Sequence, residues 1–495
     1  PPSRYASLKG RKPMKKLMKR TALALVAAAA LLGAIHGEEY LRGRGAYARW
    51  RSSQEAAGMS YDLAPYAPAP LPDGENFGAA PIVASAVRGE SRPKTGPFPS
   101  EAFLAPRTAG NWLAGAGADW AAWNRDLAGE DLDTALQPWK ADLDAWVEAS
   151  RRPGCRLPIP YGREGDAAPM PALLGMRMVA RMLRVRALGH LHAGRTEAAF
   201  QDTLAGLRMI RHLQREPHLI TQLLRNAWVT LYFQPLWEGL ADHAWTDAQL
   251  AAFQEELRPL DVLASQRTSW RFERALAPGL ASTAGGGQVL ASLLLGTDEP
   301  DKHPLARKAL GVLLPRGWVY LNFRAMDETI ARDLEPVLDP VAHRVRADLQ
   351  RKALAHLNAT AGRPWRRMPA LYLPALFDQN VRIARNQAAI DMARIACGLE
   401  RHRLSRRAYP ASLADLAPAY LADLPSDIMN GQPYGYRLEG PAFRLWSVAW
   451  NGVDDGGLLA QDKASRALDP DKGDWVWFGY RPTPAGPGAP SVPGR

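Results

Sequence analysis

The chain has 495 residues, of which 47% are hydrophobic and 23% charged, a composition typical of a globular protein with about two to four domains. Its formal net charge is +12, but residues 1–51 carry twelve Lys and Arg against two Glu, so the rest of the chain is nearly neutral. Binding to nucleic acid requires basic residues clustered on the folded part, and this charge distribution therefore excludes nucleic acid as an expected partner.

A basic segment precedes an apolar run near the start of the sequence. MKKLMKR occupies residues 14–20 and TALALVAAAALLGAI occupies residues 21–35. This order is typical of an export signal or an N-terminal anchor, and neither a clear cleavage site nor a Cys follows it. We therefore predict an uncleaved signal anchor over 14–37. Residues 17–36 would lie in a bacterial inner membrane as a single pass, with the soluble part in the periplasm.

Residues 1–13, which precede Met14, are predicted as a leader that is disordered or foreign to the native protein. A helical stretch should continue from the anchor to about Gly58. The segment 61–81 is rich in Pro and Gly, which predicts an extended path within a linker region over 38–100.

The spacing of apolar residues predicts an α-helical body over 101–378. Between about Met170 and Leu260 it indicates two helices broken at Ala193–Gly194, a third helix over PHLITQLLRNAWVTLYFQPLWEGL, and a fourth with Thr246 as its N-cap. A final long helix is predicted to begin at about Asn380 and to pack against this body.

After this helix the pattern changes from helical to alternating. YGYRLEG and AFRLWSVAW predict a β-hairpin, and DWVWFGY predicts a third strand. The tail over 481–495 is Pro/Gly-rich and is expected to be disordered. The predicted fold class is therefore mainly α, a multi-helix body followed at 379–480 by a small α+β domain with one helix and an antiparallel hairpin.

Residues 379–480 resemble the globular domain of the type II secretion major pseudopilin. The matching positions are Tyr409, Pro410, Leu413, Leu416, Leu424, Pro425, Asp427, Gly431, Tyr434, Tyr436, Ser447, Gly456, Gly457 and Asp474. A pseudopilin begins with its hydrophobic helix and a Phe-Thr-Leu-Ile-Glu processing motif, whereas here the helix is internal and that motif is missing from it. The resemblance thus implies a reused fold rather than a polymerising subunit.

The whole chain also resembles a group of large membrane-anchored proteins from planctomycete and verrucomicrobial bacteria. The segments that carry this second resemblance are RWRSSQEAAGMSYDLAPYAPAPLPDGENF, PHLITQLLRNA…PLWEGL, LPRGWVYLN and the YPASL motif. It implies a membrane anchor and no particular activity.

The segment WNGVDDGG at 450–457 is the strongest candidate site. In pseudopilins the acidic loop binds calcium, and the resemblance implies a structural calcium ion here. Calcium prefers six to eight oxygen ligands on a flexible loop. The candidate ligands are Asn451, Asp454, Asp455, Asp469, Asp471 and Asp474. Two alternatives stay open: a solvated hairpin tip, in which Asn-Gly and Asp-Gly serve turn geometry alone, and a catalytic carboxylate pair.

Other residues give weaker signals. Cys155 and Cys397 could pair or remain buried thiols, and His190 and His192 lie on different helix faces, which argues against a joint metal site. Because no known catalytic motif is assembled, the leading hypothesis is a scaffold or interaction protein of the envelope with a protein partner there, although enzymatic activity stays open. The alternatives are an envelope hydrolase with a scattered site, including Asp73, Glu75 or His218, and a component of a secretion apparatus.

Overall fold

The structure is a computed structural model that describes residues 11–89, 132–161, 170–282, 304–460 and 472–480. The chain divides into two compact units. The first unit comprises residues 1–59, 276–330 and 354–374, and the second comprises residues 60–275, 331–353 and 375–495.

The described residues are mostly α-helical, with a small antiparallel sheet near the C-terminus, which confirms the predicted fold class. The α-helices are α1 (Arg11–Ala56), α2 (Pro81–Val87), α3 (Leu132–Leu136), α4 (Lys140–Ser150), α5 (Met170–His192), α6 (Thr196–His212), α7 (Leu219–Ala241), α8 (Asp247–Leu257), α9 (Val262–Ser282), α10 (Pro304–Leu313), α11 (Gly317–Thr329), α12 (Ala347–Thr360) and α13 (Arg367–Arg406). The strands are β1 (Leu338–Asp339), β2 (Arg344–Val345), β3 (Gly435–Glu439), β4 (Ala442–Ser447) and β5 (Trp475–Phe478).

Within the first unit, α1 packs closely against α11. Gly43 and Gly317 lie at this crossing, and a Cβ added at Gly43 would come within 2.1 Å of the Gly317 carbonyl oxygen. The ring of Tyr40 packs edge-on against Tyr320, with centroids 5.8 Å apart. Because the crossing leaves no room for a side chain, the glycines are what allow the two helix backbones to approach.

Helix α1 is also the one helix among the described residues that is long and apolar enough to cross a membrane. Its most apolar window has a mean hydropathy of 1.6 and is not covered by the protein. The helix ends at Ala56, close to the predicted Gly58. The predicted leader and tail lie outside the described residues, except that residues 11–13 begin α1.

In the second unit, the predicted break around Gly194 and the predicted N-cap at Thr246 are confirmed. Helices α5 and α6 are separated around Gly194, whose φ of +73° favours glycine. Thr246 begins α8 with a capping box, in which its side chain accepts from the Gln249 backbone N–H and the Gln249 side chain accepts from the Thr246 N–H. Trp237 and Phe233 of α7 are fully buried, as expected for core residues.

Helix α13 begins earlier than the sequence predicts. It starts at Arg367 rather than near Asn380 and continues through Pro374. A proline inside a helix removes one backbone hydrogen bond, which disfavours a helix that continues through this position. Leu373 and Phe377, on either side of this position, are both completely buried, and their burial compensates for the lost hydrogen bond.

The C-terminal sheet has the strand order β3-β4-β5, and both pairings are antiparallel. The predicted hairpin and third strand are therefore confirmed. Trp477 lies opposite Leu445 in the β4–β5 register and packs edge-on against Phe233 of α7. The Trp237 indole N–H donates to the Phe478 carbonyl oxygen at 2.8 Å, which ties the end of β5 to α7 within the second unit.

We expect Gly43→Ala to destabilise the first unit by about 1–3 kcal/mol, because the new methyl group would overlap the Gly317 backbone. Gly45→Ala is the matched control on the same helix, since a Cβ there meets only the mobile end of Arg49 at 3.3 Å. That control should be neutral or stabilising by up to about 1 kcal/mol. Urea unfolding of the detergent-solubilised chain, followed by tryptophan fluorescence, measures both, and equal effects of the two variants would contradict the close crossing.

Candidate functional site

The acidic loop connects the end of β4 to β5 in the second unit. Asn451, Asp454, Asp455 and Asp474 are among the described residues, and the structure brings these four together. The predicted ligands Asp469 and Asp471 lie outside the described residues.

The loop is held by hydrogen bonds from its own backbone. Asp474 accepts from the Gly457 N–H at 2.7 Å and from the Asp455 N–H at 3.3 Å. Asp454 Oδ1 accepts from the Trp446 indole N–H at 2.8 Å and from the Gly456 N–H at 2.9 Å. These carboxylates therefore act as acceptors that define the turn, as the hairpin-tip alternative requires.

The electrostatics of the same loop favour an added cation. Burial, helped by the negative charges of Asp454 and Asp455, raises the pKa of Asp474 to about 6 against the lowering effect of the backbone N–H groups. Three carboxylates thus repel one another at the base of β5. A divalent cation would relieve this repulsion.

The free oxygens set a limit on how such a cation could bind. Asn451 donates to Asp455 Oδ2 at 3.1 Å, and its own amide oxygen accepts from the Val453 N–H at 3.1 Å. Among the described residues, no group of three or more His, Cys, Asp or Glu side chains is arranged to hold a metal ion. A calcium ion here would take Asp454 Oδ2 and Asp455 Oδ1 and would need further oxygens from the backbone or water.

A second constellation, which the sequence did not reveal, lies along α13. Asp391 is 2% exposed and accepts from Tyr434 Oη at 3.0 Å and from His343 Nε2 at 3.1 Å. It also accepts from the Gln387 side-chain amide at 3.2 Å. The carboxylate of Asp391 is therefore fully satisfied by three side chains from three different segments.

The same arrangement recurs nine residues further along α13. Glu400 is 1% exposed and accepts from Tyr409 Oη at 2.8 Å, His243 Nδ1 at 3.0 Å and the Arg403 guanidinium at 2.6 Å. Burial alone would raise the pKa of Glu400, but the hydrogen bonds from Arg403 and Tyr409 and the nearby His243 lower it below its usual value.

Both histidines of these clusters adopt left-handed backbone conformations. The φ angle is +56° at His243 and +49° at His343, a region that costs energy for any residue other than glycine. The hydrogen bonds to the buried carboxylates offset this cost. The sequence signal that could have located the clusters is the pair of acids in NQAAIDMARIACGLE, an otherwise apolar and small-residue stretch of helix.

Glu75 and His218, two of the residues considered for a hydrolase cleft, lie in different surroundings. Glu75 is exposed and borders a cavity of about 380 Å³ that is also lined by Cys155 and His212. His218 lies instead among aromatic rings, 4.8 Å from Phe272 and 5.8 Å from Tyr161 between ring centroids. The structure therefore brings Glu75 next to a different histidine from the one that the sequence suggested.

Burial keeps His212 and Cys155, which line this cavity, uncharged at neutral pH. It lowers the pKa of His212 to about 4 and raises the pKa of the Cys155 thiol well above its usual value. Cys155 and Cys397 are both free and buried. The interpretation as buried thiols is therefore confirmed, and neither sulfur has the ionisation that a nucleophile requires.

We expect protonated His343 to stabilise the second unit through Asp391. The hydrogen bond to Asp391 raises the pKa of His343 against the opposing effect of burial. The stabilisation is then fully present below the unfolded-state pKa of about 6.5 and is lost as the pH rises through the raised folded-state pKa. Urea unfolding of the wild type and His343→Gln should differ most at pH 5 and least at pH 9.

Asp391→Asn provides the control for this pH dependence. In that background, the effect of His343→Gln should no longer be largest at low pH, because the carboxylate that raises the pKa of His343 against burial is gone. A difference between wild type and His343→Gln that stays constant from pH 5 to 9 would contradict the pairing.

Comparison of the chain with protein-family models, with curated proteins and with solved structures gave no match. The resemblances to pseudopilins and to the planctomycete and verrucomicrobial proteins therefore stay predictions.

Proposed function

We propose that the chain is a membrane-anchored scaffold or interaction protein of the bacterial cell envelope, with its soluble part in the periplasm. One observation carries this proposal: the apolar half of α1 has no protein cover. Leu23 is 72% exposed and Leu25 66%, and the side chains around them are exposed as well. Large aliphatic side chains in such numbers require an apolar surrounding, which a bilayer supplies.

The length of the exposed segment fits a bilayer. Residues 17–35 make 19 residues of continuous helix, or about 28 Å at the rise of an α-helix, against a hydrocarbon core of about 30 Å. The helix then continues without a break into its second half, which packs against α11 and in which Tyr47 and Trp50 are buried. The proposed span is thus joined to folded protein by helix rather than by a flexible linker.

The scaffold role is supported by the use that the second unit makes of its buried acids. Asp391 and Glu400 are each occupied by hydrogen bonds that join separate segments of the fold. Glu75 and His218, each a candidate for a scattered hydrolase site, lie in different surroundings. We therefore prefer binding over hydrolysis as the role of the soluble part.

A pseudopilin-like cap is a further part of the proposal. Several positions that carry the resemblance contact each other in the second unit: Ser447 donates to Asp427 at 2.9 Å, and Tyr436 Oη donates to the Pro410 carbonyl oxygen at 2.8 Å. These positions, which match the pseudopilin pattern, thus hold parts of the domain together by hydrogen bonds. We propose that the acidic loop of this cap binds a structural calcium ion, in line with the repulsion among its three carboxylates.

The anchor is tested by placing charge inside the apolar run. Val26→Arg with Ala29→Arg adds an insertion cost of about 5–7 kcal/mol, because a bilayer does not solvate two guanidinium groups. The wild type should stay in the membrane fraction after alkaline carbonate washing, and this variant should leave it. The matched control, Val26→Leu with Ala29→Leu, should behave like the wild type.

The same cells test the side of the membrane and the scaffold role. Protease added to spheroplasts should digest the soluble part, whereas its full protection would contradict a periplasmic location. A cross-linker should join the wild-type chain to another envelope protein, and this adduct should be lost with the double-Arg variant. If the cross-linker joins the wild-type chain to no other protein, the scaffold role is contradicted.

Calcium should raise the melting temperature of the chain, because it would neutralise carboxylates that repel one another. Asp455→Asn should abolish the shift, since this residue supplies a free carboxylate oxygen. Asp423→Asn is the matched control: Asp423 is an exposed acid that pairs with Arg394 away from the loop. Thermal melting with calcium, and with calcium plus chelator, measures the shift. An unchanged melting temperature of the wild type would leave the loop as a hairpin turn.

A further inference from the structure

Two side-chain contacts of the first unit lie just beyond the proposed span. His36 Nε2 lies 3.1 Å from the carbonyl oxygen of Leu313, the last residue of α10. The Trp318 indole N–H donates to Glu39 at 3.0 Å. His36 and Glu39 follow Ile35 by one and four residues, or about 2–6 Å along the helix axis. The end of α10 and the start of α11 therefore lie at the level where the apolar run ends.

Helix α10, whose last residue lies at this level, has exposed apolar side chains. Leu305 is 81% exposed and Leu313 is 55% exposed, and Lys308 is exposed between them. Apolar exposure of this size on a helix with an uneven distribution of apolar residues is typical of an interface, and α10 meets the span through His36.

A basic and aromatic segment lies beside it. Trp365 packs edge-on against Trp318 with centroids 6.3 Å apart, and Asn322 of α11 donates to the Pro364 carbonyl oxygen at 2.9 Å. These contacts fix the segment 363–372 against the first turns of α11. Its exposed side chains are Arg363, Trp365, Arg367, Leu371 and Tyr372. Tryptophan, tyrosine and arginine are the residues that favour the headgroup region of a bilayer.

We propose that α10, Trp318 and residues 363–372 form a juxtamembrane platform that lies in the headgroup region of the bilayer and prefers anionic lipids. The inference depends on the proposed span of α1, because the span brings the platform to the membrane. Leu305 and Leu313 lie among the upper acyl chains. Lys308, Arg363 and Arg367 contact the headgroup phosphates.

The depth of the platform agrees with the dimensions of a bilayer. The headgroup layer adds about 5–7 Å on each side of the hydrocarbon core, and the contacts at His36 and Glu39 fall within that distance of Ile35. Continuity with the span and the positive charge of the platform both select a lipid surface over a protein as the occupant.

Single cysteines that carry an environment-sensitive fluorophore test the proposal in the full chain, reconstituted in phosphatidylcholine–phosphatidylglycerol vesicles. The native cysteines are buried and should not react. Labels at Leu305→Cys and Leu313→Cys should be quenched by nitroxide-labelled lipid at least about threefold more than a label at Ser52→Cys. Ser52 is an exposed residue of α1, about 25 Å beyond Ile35.

A label at Ala29→Cys reports on the span itself. If it is quenched but the labels on α10 stay accessible to aqueous iodide, the anchor is correct and the platform is wrong. If the α10 labels are shielded from both iodide and lipid nitroxide, protein covers α10 and the proposal is overturned. If Ala29→Cys is not quenched, the proposed anchor itself fails.

Charge substitutions test the preference for anionic lipid. Quenching at Leu313→Cys should fall about twofold when phosphatidylglycerol is omitted, and Arg363→Gln with Arg367→Gln should remove this dependence. Arg351→Gln with Lys352→Gln is the control, because it removes the same charge from exposed positions of the second unit. Equal effects of the two pairs, or no dependence on lipid charge in the wild type, would overturn the preference.

Discussion

The second unit depends on two carboxylates buried on one helix. Every residue of α13 from Asn386 to Glu400 is buried, and Asp391 and Glu400 lie in this stretch. Removing a charged group from water costs several kcal/mol, so each acid is tolerated only with donors around it. Those donors come from the end of α7, the β1–β2 turn and the C-terminal region. The acids thus require these distant segments to assemble around α13.

This requirement also indicates where function is to be sought. A carboxylate whose oxygens all accept hydrogen bonds within the fold has little capacity left for a substrate, and this applies to Asp391 and Glu400. Asp454 and Asp455 differ, since each keeps an oxygen at the edge of the sheet. Among the described residues, two regions therefore keep groups that could bind a partner. One is the acidic loop of the second unit, with its free carboxylate oxygens, and the other is the exposed apolar run of α1 in the first unit.

The sequence predicted local features better than long-range ones. The helical period, the Thr246 cap and the alternating strands each depend on neighbours within a few residues, and all were confirmed. The predicted start of α13 was wrong. The helix continues through Pro374 because the burial of Leu373 and Phe377 outweighs the hydrogen bond lost at the proline. The partners of Asp391 and Glu400 are up to 157 residues away, a distance over which no spacing rule applies. In the acidic loop, sequence identified the residues, but their use as turn acceptors depends on backbone directions.

Helix α1 shows how one element can be specified for two surroundings. Residues 22–35 are apolar on every side, as a lipid-facing helix must be, because a bilayer contacts the whole circumference. From Gly43 onward the buried positions are Gly43, Ala46, Tyr47 and Trp50, a single stripe at helical spacing that faces α11. The change occurs within two turns and without a break in the backbone. A tilt of the proposed span would therefore be transmitted directly to α11, and the close crossing at Gly43 and Gly317 would resist it.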